Sequence, residues 1–239
     1  MALTRTTLKQ EQSAGLFGTG AFTTSSFTPS NTVLLVCRIS AETAAGGAFV
    51  GTDLTIAGGG LTWTRQVAST TNVGGWTNGI AVWTAPVTTG ASMTVTADAG
   101  SANINRFSVD VYQESGYDTS TPVGATANGT DADGQGSATI TLSASPASDS
   151  EIFGFAEIAL SGGASSATPG TSWTELWDVS EAGWQTAHSE VITGVTSTSV
   201  SWNNLDVAGG SGVGALLVAL EIKAAAGGGA TFPVGQILT

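Results

Sequence analysis

Apolar side chains recur at every second position along most of the chain, and a period of two predicts strands rather than helices. Ser92-Met93-Thr94-Val95-Thr96 alternates strictly, and so does Phe107-Ser108-Val109-Asp110-Val111-Tyr112 ahead of Ser115-Gly116. Thr32 to Ser40 is instead apolar almost without a break, which predicts a central strand covered on both faces. The turn signal Thr28-Pro29-Ser30-Asn31 precedes it. Leu61-Thr62-Trp63-Thr64-Arg65-Gln66-Val67 follows Gly58-Gly59-Gly60 and reads as a strand centred on Trp63, with a short strand expected before it at Asp53 to Ile56. Asn78-Gly79 reads as a hairpin dipeptide leading into Ile80-Ala81-Val82-Trp83, and Pro86 ends that strand or places it at an edge.

The order of these strands recurs. Thr171-Ser172-Trp173-Thr174-Glu175-Leu176-Trp177 echoes the Trp63 strand 110 residues on, and Gly183-Trp184 echoes Gly75-Trp76. Glu151 to Ile158 answers the Val33 strand, Glu190-Val191-Ile192 answers Ala81-Val82-Trp83, Ser199 to Trp202 answers the Met93 strand, and Ala215 to Leu220 answers Phe107 to Tyr112. Trp positions are not generic to strands, so the match predicts an internal duplication, with pseudo-repeats over 31–118 and 150–223. Ser137-Ala138-Thr139-Ile140-Thr141-Leu142 is one more alternating strand between them. The expected architecture is all-β: one antiparallel β-sandwich of two sheets, over 31–223, with strands of both halves mixed in each sheet. Residues 1–30 read as an N-terminal arm with one edge strand near Ala21 to Phe27, and 224–239 as a C-terminal tail.

Composition fits this pattern. Of 239 residues 41% are hydrophobic and 10% charged, against about 25% charged in an ordinary domain, and 33 are glycine. The net charge of −12 with six basic residues repels phosphate backbones and anionic lipid surfaces, so neither nucleic acid nor membrane is an expected partner. No signal peptide is expected in Met1 to Glu11, and Gly212 to Leu220 is too short to span a bilayer. Cys37, the single cysteine, lies in the apolar run and reads as a core thiol; it excludes an internal disulfide and a cysteine metal cluster.

Candidate chemistry is sparse. His188 is the only histidine, no Gly-x-Ser-x-Gly surrounds any serine, and the strand around His188 predicts a surface or cross-strand position. Glu151 and Glu157 share a face at even spacing but stand roughly 20 Å apart, too far for a glycosidase pair. Glu175, Asp178 and Glu181 read as a solvated rim. Asp131-Ala132-Asp133-Gly134 opens like a calcium loop but has Leu142 where the twelfth-position Glu belongs, so it reads as a turn. No catalytic residue, metal ligand or cofactor is expected. Trp63 and Trp173 are expected in the core. Trp76 and Trp184, following glycines, are the aromatic pair expected to contact a glycan if one binds. Beyond the spacer Ala224 to Gly229, Phe232, Val234, Ile237 and Leu238 stand in a stretch without charge, which predicts docking on another chain.

Asn31-Thr32-Val33-Leu34-Leu35-Val36, Leu61-Thr62-Trp63-Thr64, Ala81-Val82-Trp83-Thr84-Ala85-Pro86 and Phe107-Ser108-Val109 through Ser115-Gly116-Tyr117-Asp118 together resemble a jelly-roll sandwich domain of tailed-phage virion proteins and bacterial surface proteins. The opening Met1-Ala2-Leu3-Thr4-Arg5-Thr6-Thr7-Leu8 is similar to that of small phage-encoded members, and the resemblance covers about residues 1–223. It implies virion decoration, fibre or adhesin work, or carbohydrate recognition. The expectation is therefore a non-enzymatic virion protein, a capsid decoration (cement) or head-fibre component. Its expected partners are the major capsid protein and further copies of itself. The alternative is a carbohydrate-binding or adhesin module that contacts a host glycan.

Overall fold

The computed structural model describes residues 2–13, 20–43, 53–73, 76–100, 103–131, 136–159, 165–181, 185–207 and 214–226. They form sixteen strands, and no α-helix occurs among the described residues. The first eight are β1 (Thr4–Gln12), β2 (Ala21–Thr23), β3 (Val33–Thr43), β4 (Thr55–Ala57), β5 (Thr64–Val73), β6 (Trp76–Val87), β7 (Thr96–Asp98) and β8 (Ile104–Ser115). The second eight are β9 (Val123–Asp131), β10 (Ala138–Thr141), β11 (Glu151–Ala159), β12 (Ser165–Pro169), β13 (Thr174–Glu181), β14 (Gln185–Thr193), β15 (Ser199–Val207) and β16 (Gly214–Ile222).

The first eight make a five-stranded sheet, β1-β8-β3-β6-β5, and a three-stranded sheet, β2-β7-β4. The second eight repeat this as β9-β16-β11-β14-β13 and β10-β15-β12. Each strand of the first half therefore has its counterpart eight strands later, in the same place of the same kind of sheet. The pairings in all four sheets are antiparallel.

This establishes the all-β antiparallel sandwich and the duplication, and corrects how the halves combine. Among the described residues no sheet mixes strands of the two halves. Each half closes its own core: Leu35, Cys37, Ile39, Trp83, Phe107 and Val109 in the first, Ile152, Ala156, Ile158, Trp202, Leu205 and Leu217 in the second. The five-stranded sheets then pack back to back through a third cluster, Leu34, Val36, Val82, Tyr112, Phe153, Phe155, Leu216 and Val218. The result is a stack of four layers. The single mixed sandwich rests on an undercount: the sequence pattern shows neither the strand that opens each half, β1 and β9, nor β12, leaving too few for two sandwiches. Thr4 to Gln12, expected as part of the N-terminal arm, is the edge strand β1, and Val123 to Asp131 is its counterpart β9.

The back-to-back placement explains β3. All eleven of its residues are buried, because odd positions face the first core and even positions face the other half. β8 and β16 are covered in the same way. Asn78-Gly79 lies inside β6 rather than in a turn, since β5 and β6 pair as far as Val73↔Trp76. Pro86 pairs with Leu34 beyond the last β5 partner, Thr84, so β6 has a neighbour on only one side there, as a strand proline requires.

The contact between halves has a pseudo-two-fold character. β5 packs over β9 and β16, with Asn128 Nδ2 donating to the Ala68 carbonyl (2.8 Å) and Ser69 Oγ to that of Gly129 (3.2 Å). At the opposite margin Gln10 Nε2 on β1 donates to the Leu176 carbonyl of β13 (3.0 Å). The connection between halves is tied to the chain's later part: Ala225 N donates to Gly116 O (2.7 Å) and Asp118 N to Lys223 O (2.8 Å). The chain thus reaches Ala226 beside the junction of the two halves.

Candidate functional site

Three places carry polar chemistry, and their surroundings sort them. The first is sealed between the five-stranded sheets. Even positions of β3 point there, so Arg38 follows Leu34 and Val36 into the interface and is fully buried. Its Nη2 and Nε donate to the Asp110 carboxylate at 2.6 and 3.3 Å, and its Nη1 to Ser40 Oγ at 2.7 Å. Ser189 Oγ and Tyr112 OH also donate to Asp110. Glu157 Oε2 is 3.9 Å from Nη1, and the guanidinium lies 5.5 Å from the Trp177 ring centre. Burial pulls the guanidinium's pKa down, but Asp110 and Glu157 more than offset that. Burial pushes Asp110 and Glu157 up, against the opposing pull of Arg38. Ser189, Trp177 and Glu157 come from the second half, so this network is a pin between halves, closed to any substrate. At one margin Arg5 is bonded to Glu151 and lies 5.9 Å from the Phe153 ring centre, with Glu114 against them. Glu151 and Glu157 do share a face, as their spacing predicts, and it is this interface.

The second place is inside the second sandwich, near its β13 edge. His188 on β14 is fully buried, which corrects the expected surface position. Its strand partner is Asp178, and Glu190 two residues on pairs with Glu175. Glu175 and Asp178 are three residues apart, and simple alternation would put them on opposite faces. A β-bulge between Glu175 and Trp177 restores them to one face. One ligand atom from each of Glu175, Asp178 and His188 lies within 4.8 Å of the others, the group of metal-ligand type found among the described residues. Asp178, read from sequence as a solvated rim residue, is half-buried, while Glu175 is exposed. Burial, and then Glu175, push Asp178 up to about 6. Burial pushes Glu190 up to about 8, opposed by the backbone N–H of Gly170. Burial, and then the Arg38 charge, lower His188 to about 4, so its imidazole is neutral at pH 7. The signal that could have located this site is the even spacing of His188 and Glu190; the bulge has no sequence signature.

The third place is an open groove of about 310 Å³ beside Trp173. Trp173 precedes β13 as Trp63 precedes β5, and each is half-buried against its own core, so the equivalence holds but both stand at the rim rather than the centre. Ile192 and Val195 continue the apolar floor, and Ser172, Ser197, Ser199 and Ser201 bring hydroxyls to it. Trp202, at 0% exposure, fills the centre of the second core instead. It lies against Gly154, where a Cβ would come within 3.0 Å of its ring.

Of the glycan-contact candidates, Trp184 lies outside the described residues; Trp76 opens β6, and its side chain lies outside them too. The docking candidates Phe232, Val234, Ile237 and Leu238 also lie outside, as does the turn at 132–135. No helix among the described residues is long and apolar enough to cross a membrane. Comparison with protein-family models, with curated proteins and with solved structures returns no match.

Proposed function

We propose that the protein is a structural component of a tailed-phage virion, a capsid decoration or head-fibre protein working through non-covalent contacts with the major capsid protein and with its own copies. The supporting observation is the fused double sandwich. In each half the chain crosses repeatedly between two layers, as in the first half, with β1, β3, β5, β6 and β8 in one and β2, β4 and β7 in the other. Apart from β5, which pairs with β6 in the same layer, that path resembles a jelly roll, an architecture common in capsid and lectin domains. A fold of this kind serves many functions, and the pin of Arg38, Asp110 and Ser189 tips the reading toward structure. It locks both halves into one block whose outer sheets and strand edges remain for contact. The tail beyond Ala226 is the docking element in this reading.

The test compares the full chain with one truncated after Ala226, each mixed with phage particles assembled without the protein. The full chain should co-sediment with the particles. The truncated chain should unfold at the same urea midpoint but stay in solution. Equal co-sedimentation of both would overturn the docking role of the tail; failure of both would overturn the virion reading.

The groove beside Trp173 favours a second reading, recognition of a glycan. Sugars stack their apolar faces on indole rings while hydroxyls satisfy one another at the margin, and Trp173 with its four serines offers both. On a glycan array the full chain should then retain specific sugars, and Trp173→Ala should abolish that retention without loss of fold. An array with no retained glycan counts against this reading and leaves the virion reading standing.

A further inference from the structure

We propose that Glu175, Asp178 and His188 bind a divalent transition-metal ion, with Zn²⁺ the best fit, at the β13 edge of the second sandwich. The argument begins with His188. A buried imidazole ordinarily donates at least one hydrogen bond. His188 is fully buried, and neither Nδ1 nor Nε2 has a hydrogen-bond partner. Glu190 Oε2 is 3.8 Å from Nε2, beyond bonding reach. Asp178 Oδ1 and Glu190 Oε1 are buried without partners beside it. A cation held by Glu175, Asp178 and His188 would give the imidazole and the Asp178 carboxylate a shared partner.

The duplication supplies an internal control. β5 carries the same bulge, between Arg65 and Val67, as β13 carries between Glu175 and Trp177. Through that shared register, Arg65 stands where Glu175 does, and Ala68, which pairs with Ala81, stands where Asp178 pairs with His188. Trp83 takes the place of Glu190. The first half fills this frame with Ala68, Ala81 and Trp83 packed into its core. The fold therefore does not require the acidic and imidazole groups, and the bulge alone does not account for them.

The donor set indicates the ion. One imidazole nitrogen with carboxylate oxygens suits Zn²⁺ and its neighbours better than Ca²⁺ or Mg²⁺, which prefer all-oxygen shells. At Zn–ligand lengths of about 2.0–2.2 Å, tetrahedral donors stand roughly 3.4 Å apart. The observed spread, within 4.8 Å, is wider than that, and the exposed side chain of Glu175 has room to move inward. The same exposure gives the ion its route in. Glu190 Oε2 stands behind the imidazole, 3.8 Å from Nε2, as an outer group to the three ligands.

Because His188 is the only histidine, the untagged full chain labelled with ¹⁵N-histidine gives one imidazole to follow. On titration with ZnCl₂ its unprotonated ring nitrogen should shift to the metal-bound range, saturating at one equivalent. Glu175→Gln is exposed and should leave the fold intact; it should weaken the apparent affinity at least tenfold. Asp178→Asn should weaken it further. Ring nitrogens that do not move at a tenfold excess of Zn²⁺ would overturn the proposal. A Glu175→Gln chain that titrates like the parent would overturn it too, since the ion would then sit on other carboxylates.

Discussion

Arg38→Met should lower the unfolding free energy by about 3–5 kcal/mol, the cost of leaving a buried charge without its partner. Among the described residues the guanidinium is the only cation in contact with Asp110, and Glu157 lies 3.9 Å from it, with all three side chains at 0% exposure. Methionine fills much of the arginine stem's volume, so the loss reports charge rather than a cavity. Since Ser189 and Trp177 complete the site from the other half, the substitution should also loosen the contact between halves. Replacing Asp110 and Glu157 by leucine in the same chain should recover most of the loss, because a well-packed apolar substitute often matches a buried ion pair. Urea unfolding followed by tryptophan fluorescence measures both. A loss under about 1 kcal/mol for Arg38→Met would mean that the pin does not hold the halves together.

Stability should fall as pH rises from 6 to 9, opposite to the usual acid sensitivity of proteins. Burial, and then Glu151, push the Glu114 carboxyl up to about 9, while Arg5 opposes the shift. The ordinary value is 4.5, so the folded state binds a proton that the unfolded chain has already released. A group raised on folding contributes its full stabilisation below the unfolded value and loses it as pH climbs through the folded value. Glu42, raised to about 7 mainly by burial, acts in the same direction at the lower end of the range, and Glu190 at about 8 within it. Glu114→Gln keeps a neutral donor facing Glu151 and Arg5. It should be close to neutral at pH 5 and stabilise by about 1–3 kcal/mol at pH 9, the range for relieving an unpaired buried polar group. Its urea midpoint should therefore vary less between pH 6 and 9 than the parent's, with the remaining slope left by Glu42 and Glu190. Parallel slopes for the two chains would refute the assignment to Glu114.

Strand type and repeat order were legible because burial writes itself into hydrophobic spacing. The unbroken run from Val33 to Cys37 announced a strand covered twice, and paired Trp63 and Trp173 announced the duplication. The missed strands, β1, β9 and β12, are edge strands whose patterns, Thr4 to Gln12, Val123 to Asp131 and Ser165 to Pro169, carry few large apolar residues. Backbone pairing, not side-chain burial, holds them, and pairing leaves little trace in composition. Without them the sequence could not show that each half was complete. The acidic group around His188 was hidden for a related reason: one extra residue in β13 reverses the facing of everything before it, and spacing rules assume no such residue. The burial of His188 was likewise unreadable, because the charged residues around it look like a surface.

The covalent joint between the halves also changes what substitution can do. In a symmetric pair of identical chains, every change appears twice, once on each side of the axis, and a change that harms one copy harms both. Here Gly116 to Pro122 keeps the halves together at an effective concentration on the order of millimolar or more, whatever either sequence becomes. One half can keep Ala68, Ala81 and Trp83 and carry the folding of the block. The other can exchange them for Asp178, His188 and Glu190, a set too costly to hold in duplicate, and still find its partner. The fusion turns a symmetry axis into a division of labour.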